Sequence, residues 1–282
     1  MQVIDKIGIF NSYVTRRVPG TLFLRNLVER RSLLFQLVRR DFEQRYVGSA
    51  MGWVWGLIQP LVLLLSWTFV FQVCLNQHLP GVRSYPLYLF AGMLPWFLFS
   101  ETAQRSATGL LEQANLITKT IFPAEIVPVS IFLSTLLGHA LALTLLVAAA
   151  AVMLNQVSAF LIFLPAYVFA IGLMAVGLGW IVGSLHVFLR DTAQVWNVIL
   201  TFWFWLTPIF ITEDLYKKRA WTRWLLAANP MAYVVRGYRA MLLGTAPPDA
   251  KDLGVAIAFG AVVFVAGGLF FRQMKHGFAD VL

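Results

Sequence analysis

Residues 39–60 read RRDFEQRYVGSAMGWVWGLIQP, so Arg39, Arg40 and Arg45 stand within one short stretch before charge gives way to Trp53, Trp55 and a Gln59-Pro60 pair. Guanidinium groups suit phosphates and diphosphates, which they bind through paired charge-assisted hydrogen bonds. Further on, Gln194, Asn197, Thr201 and Trp205 recur at offsets of three, four and four, one face of a helix. Trp55, Gln59 and Ser66 fall near one face at offsets of four and seven, while Trp67, Phe71 and Trp203 add rings further along. Amides exchange hydrogen bonds with hydroxyls and ring faces pack on sugar C–H groups, so these stripes suit a passage for sugars. Tryptophan near a membrane surface also forms the ordinary aromatic belt, and the residues alone leave both readings open.

Other chemistry is missing. No Gly-Lys dipeptide occurs, which excludes a Walker A loop and nucleotide hydrolysis by that route. His78, His139, His186 and His276 lack metal-ligand spacing, and the single Cys74 makes no internal disulfide. No carboxylate falls in the middle of an apolar run, where an ion-coupled carrier needs one. Glu101, Glu112, Glu125 and Asp191 are placed by location alone for a polytopic glycan-modifying enzyme, the alternative class. Nothing points to nucleic acid or to a cofactor held by this chain.

The elements that position these residues follow from charge. The 282 residues are 59% hydrophobic and 12% charged, against about 25% charged in soluble domains. Asp, Glu, Lys and Arg are absent between Arg45 and Arg83, Arg83 and Glu101, Glu125 and Arg190, Asp191 and Glu213, and Asp252 and Arg272. A spanning helix needs about 20 apolar residues. The Glu125–Arg190 interval holds two spans, parted at Asn155-Gln156 and Ser158. The expectation is an all-α integral membrane protein with six transmembrane helices near 51–75, 84–104, 127–153, 159–189, 193–212 and 253–271. The runs are too continuous for barrel strands.

No cleaved signal is expected at the N-terminus, which lacks an apolar core of sufficient length. Nine Lys and Arg residues precede the first span, which sets the N-terminus in the cytoplasm; six spans return the C-terminus there. The segment 213–252 runs against the rule with Lys217, Lys218, Arg219, Arg223, Arg236, Arg239 and Lys251, and needs a reason of its own.

Three segments outside the spans have character. Leu24, Leu27, Leu34, Val38 and Phe42 make residues 21–46 an amphipathic interface helix, with Arg30, Arg31, Arg39, Arg40 and Glu43 opposite, within a cytoplasmic N-terminal unit 1–50. Within the transmembrane unit 51–282, the loop 110–126 places Asn115, Leu116, Ile117 and Lys119 on a short helix with an exposed apolar tip, a docking knob. The outer region 213–250 carries two short amphipathic stretches parted at Asn229-Pro230, the length of re-entrant helices. Ala175, Gly179 and Gly183 form a ladder of small residues for close helix packing, within the chain or between copies.

These segments resemble the ABC-2 type permeases that export polysaccharides. The resemblance rests on R-D-x-x-x-R-Y, G-x-x-W and Q-P in the opening stretch, YPLYLFAGMLPWFLF (85–99), NLITKTIFPAEIVP (115–128), FLRDTAQVWNVILTFWFWLTPIF (188–210) and NPMAYVVRGYRAMLL (229–243). It runs in order through nearly all of the chain after residue 30 and is strongest to permeases for lipid-linked O-antigen, with teichoic-acid and capsule exporters nearby. It implies a homodimer in the cytoplasmic (inner) membrane with two copies of a separate ABC ATPase, which binds ATP and Mg. Asn115, Leu116, Ile117, Thr118 and Lys119 would couple to that ATPase. Gln59, Ser66, Trp67, Phe71, Asn197, Thr201 and Trp205 would line the translocation path between copies. Arg39, Arg40 and Arg45 would receive the head group of a lipid-linked polysaccharide. Gln44 departs from the pattern where a basic residue is common, which removes a cation from that turn.

Overall fold

A computed structural model describes residues 29–46, 51–74, 76, 84–119, 122–155, 157–210, 212–244 and 247–281, and all regular structure among them is helical. The chain opens with α1 (Arg31–Tyr46); the part of the expected interface helix at 21–28 lies outside the described residues. A 3-10 turn, Gly52–Val54, leads into α2 (Trp55–Thr68), which contains Pro60 and continues as a π-helical segment, Phe69–Cys74. Next come α3 (Tyr85–Glu112), the six-residue α4 (Ala114–Lys119) and α5 (Ile126–Leu154). A 3-10 segment, Ala159–Phe163, precedes α6 (Leu164–Phe188), and α7 (Thr192–Leu206) follows. Three shorter helices, α8 (Glu213–Lys217), α9 (Ala220–Ala228) and α10 (Pro230–Leu243), lead to α11 (Ala250–Met274) and α12 (Phe278–Val281).

The breaks obey local chemistry. Asn155 ends α5 at φ 54°, a left-handed conformation that asparagine tolerates, and Ser158 accepts from the Phe160 amide to start the next turn. Asn229 accepts from the Met231 amide at 3.0 Å and Pro230 takes the first helical position of α10. Gly244 at φ 64° closes the same helix.

Among the described residues, four helices are long and apolar enough to cross a membrane: Trp55–Cys74, Ile126–Leu154, Ala159–Phe188 and Ala250–Gly277. The other two expected spans differ from the reading of the sequence. The second runs on as α3 through Arg105 to Glu112, so its C-terminal end carries charge. The fifth, expected over 193–212, ends at Leu206 after 15 residues, about 22 Å at 1.5 Å per residue. Thr207 takes an extended conformation and Pro208 follows it, so the helix cannot continue.

α6 is the central helix, packed between α3 and α11. Gly179 and Gly183 face Ser106 on α3, where a Cβ would meet it at 2.7 Å. The small-residue ladder therefore serves packing within the chain. On the α11 side, a Cβ at Gly267 would lie 2.2 Å from the Gly177 carbonyl oxygen, so the two backbones touch.

α10 is buried rather than peripheral, with Met231, Val234, Val235, Tyr238 and Met241 all inside. The short α9 is the exposed member of the outer pair, with Trp221 and Trp224 at 60% and 69% exposure.

Candidate functional site

At its C-terminal end, α1 turns charge inward. The Arg45 guanidinium donates to Glu101 Oε1 at 2.6 Å and to Thr135 Oγ1 at 2.9 Å, and lies 3.7 Å from Asp41. Arg105 pairs with Asp41. Burial pushes the Asp41 carboxyl up, but the hydrogen bond and charge of Arg105 and the charge of Arg45 outweigh it and hold Asp41 below its ordinary 3.8. The three predicted entry arginines do not form one cluster. Arg45 joins α1 to α3 and α5, Arg40 donates to Gln113 Oε1 at 2.5 Å where α3 meets α4, and Arg39 pairs with Glu43 on the exposed side.

Arg45 stands at the rim of a cavity of about 600 Å³ between α2, α3 and α5. Trp55, Gln59 and Pro60 form one wall, Phe90, Leu94 and Gln104 a second, and Thr135, Gly138 and His139 a third. Gln59 thus faces a space within the chain.

The other residues expected along the path lie elsewhere. Asn197, Thr201 and Trp205 are exposed along one face of α7, with Gln194 at its N-terminal end, while Trp196 and Leu200 pack into the core. Thr201 donates to the Asn197 carbonyl at 2.9 Å. Ser66 is exposed on α2. Phe71 stacks on Phe210 at 5.1 Å, and Phe210 meets Trp205 at 5.6 Å, so a ring bridge ties the π-helical segment after α2 to the C-terminal end of α7. The side chain of Trp67 lies outside the described residues. Trp203, expected with the rings near the passage, points instead into the core, where Nε1 donates to Asn229 Oδ1 at 2.9 Å.

α4 holds the predicted coupling residues. Asn115 is exposed, whereas Leu116 and Ile117 are half-buried. The expected exposed apolar tip is thereby corrected: both rest on an apolar cluster with Leu37 of α1, Leu110 of α3 and Ile126 of α5, which draws them out of water. The side chains of Thr118 and Lys119 lie outside the described residues.

The acidic residues set aside for enzyme chemistry are occupied or scattered. Glu101 holds Arg45, Glu125 holds Lys275 at 2.7 Å, Glu112 accepts from Thr108 at 2.7 Å, and Asp191 lies exposed at the start of α7. Among the described residues no cluster of metal-ligating side chains occurs.

Two basic residues of the segment 213–252 have structural employment that the sequence does not announce. Arg239 is buried and donates to the carbonyls of Pro208 at 2.7 Å, Ile209 at 2.6 Å and Tyr88 at 3.3 Å, with its guanidinium 3.6 Å from the Tyr88 ring centre. Arg236 bridges Glu213 and Asp252. Asn229 also escaped notice: its Nδ2 donates to Thr207 Oγ1 and the Leu206 carbonyl, satisfying the broken end of α7. Only the Asn-Pro pair hinted at that position.

This frame of apolar helices is that of a membrane permease. The sequence profile described as ABC-2 type transporter matches residues 32–243, and the chain belongs to that family. It is 28% identical over 257 residues to the O-antigen export system permease protein RfbA of Myxococcus xanthus, covering 91% of this chain and 98% of that relative. A protein of the same name from Klebsiella pneumoniae is 24% identical over 253 residues, covering 89% and 95%. The polysialic acid transport protein KpsM of Escherichia coli is 21% identical over 242 residues, covering 85% and 92%.

Proposed function

We propose that the chain is the transmembrane subunit of an ATP-driven exporter that carries lipid-linked polysaccharide of the O-antigen kind across the cytoplasmic membrane. The observation that carries this reading is the exposed Asn197–Thr201–Trp205 face of α7, because amide, hydroxyl and indole suit sugar and are poorly matched to lipid. Family membership and the names of the relatives support it. In this reading α3 and α7 complete six spans, both termini are cytoplasmic, and α9 and α10 form the outer re-entrant region.

Two copies meet so that the α7 faces and Ser66, Trp67 and Phe71 of α2 line the passage, with Gln59 at its inner flank. Two ATPase subunits bind ATP with Mg and press on Asn115–Lys119. A head group arriving in the inner leaflet meets Arg39 and Arg40 first, and Arg45 where α1 turns into α2.

The test is co-expression of the full chain with the ABC ATPases of its source, starting from any encoded in a neighbouring gene. Copurification, glycan export, and loss of glycan-stimulated ATPase turnover in Lys119→Glu are expected. An ATPase that never copurifies, or turnover indifferent to Leu116→Asp and Lys119→Glu, overturns the reading and returns weight to a glycan-modifying enzyme or an exporter of another substrate.

A further inference from the structure

Glycines in the long helices earn their place by close approach: at Gly177, Gly179, Gly183 and Gly267 a Cβ would meet a neighbour within 2.7 Å. Gly138 is different. Nothing lies within 4 Å of its Cβ position, and it lines the cavity between α2, α3 and α5. A larger side chain there would enter the cavity, so glycine keeps that volume open. On the facing wall, Pro60 has no N–H, so the Gly56 carbonyl one turn earlier, also in the lining, receives no helical hydrogen bond from it.

His139, on the third wall, is 6% exposed, and one ring nitrogen, Nε2, lies 3.2 Å from the Tyr238 hydroxyl.

The charges at the rim cancel, because Arg45 is held by Glu101 at 2.6 Å. What remains toward the space is neutral: the amides of Gln59 and Gln104, the Ser100 hydroxyl and the Trp55 ring. Amides and an indole beside apolar Leu94 and Phe97 fit a ring with hydroxyls on its edge and C–H groups on its faces. A volume of about 600 Å³ lies in the range of small-molecule sites.

We propose that this cavity is a subsite for one uncharged sugar unit, held by Gln59 and Gln104 and packed on Trp55, within each copy of the chain rather than between copies. It rests on the export reading for the source of the sugar, and on the cavity alone for its chemistry.

The test uses the full chain in nanodiscs with three photoreactive probes of equal chain length: an octyl glucoside bearing a diazirine on the sugar, a diazirine-bearing octyl phosphate, and an octyl chain with the diazirine alone. Labelled peptides are mapped by mass spectrometry. The glucoside should label the walls holding Gln59, Gln104 and Gly138 at least about fivefold above the other two probes, the scale of one or two net hydrogen bonds. Gly138→Leu should remove most of that labelling, and Gln104→Ala should reduce it. Gly254→Leu, on α11 and equally free of neighbours, should change nothing and serves as the control for folding. Equal labelling by the phosphate or by the bare chain, or full labelling of a monodisperse Gly138→Leu protein, overturns the subsite. Labelling without copurification of any ATPase leaves the subsite standing and removes the exporter; export without labelling does the reverse.

Discussion

Arg45 on α1 and Glu101 on α3 are joined by a 2.6 Å ion pair at the rim of the cavity, and Asp41, Arg105 and Thr135 complete the network. This network joins α1 to α3 and α5. Removing one member leaves a half-buried charge without its partner, which costs about 1–3 kcal/mol. Glu101→Gln should lower the unfolding midpoint in nanodiscs, as should Arg45→Ala. The double substitution should cost less than the sum, because the second change removes the charge that the first stranded. Additive effects in that cycle would show the pair to be uncoupled.

The same joint sets a pH dependence. Asp41 titrates below 3.8 in the folded chain, so it contributes stability that is fully present above 3.8 and is lost as pH falls through the depressed folded value. Asp41→Asn should be less stable than the wild type at neutral pH. The gap should close as pH drops below that ordinary value. Thermal unfolding of both proteins over an acid series checks it; a gap that widens toward acid contradicts the assignment.

Arg239 ties the chain end of α7 to α3 and α10. Arg239→Met leaves the carbonyls of Pro208, Ile209 and Tyr88 without that donor, and each buried carbonyl left unsatisfied costs about 1–3 kcal/mol. Arg239→Lys offers one ammonium where three carbonyls surround a planar fork, so it should rescue only part. Yield of monodisperse protein should rank wild type, then Lys, then Met.

Much of the fold was legible because lipid forbids charge: the gaps from Glu125 to Arg190 and from Asp252 to Arg272 mark α5, α6 and α11 to within a few residues. The length of α7 was not, because its end is set by Thr207 and Pro208 together with donors from Asn229 and Arg239, far along the chain. The reason for Arg236 and Arg239 was hidden in the same way, since their partners come from other segments of the chain. The polar stripe of α7 was readable from its offsets. That Gln59 opens into an intrachain cavity was not, because periodicity gives a face but not what stands opposite.

Glycine positions separate packing from free space. At Gly267 an added methyl meets the Gly177 carbonyl at 2.2 Å, so Gly267→Ala should push α11 off α6 and cost about 1–3 kcal/mol by overpacking. At Gly138 the added methyl meets nothing, so Gly138→Ala should stabilise the helix by about 0.5–1 kcal/mol. Opposite signs in the two unfolding midpoints are the expected result.

The coupling reading needs substitutions that do not confuse fold with function. Leu116 is half-buried on the cluster shared with α1, α3 and α5, so Leu116→Asp strikes the joint as well as any ATPase contact. Asn115 is exposed, and Asn115→Arg should leave the unfolding midpoint within about 0.5 kcal/mol of the wild type. If α4 is where the ATPase presses, the same variant should reduce copurified ATPase and export several-fold. Unchanged export by a stably folded Asn115→Arg protein would remove this end of α4 from the contact, and the half-buried Leu116 and Ile117 would then serve only to hold α1, α3 and α5 together.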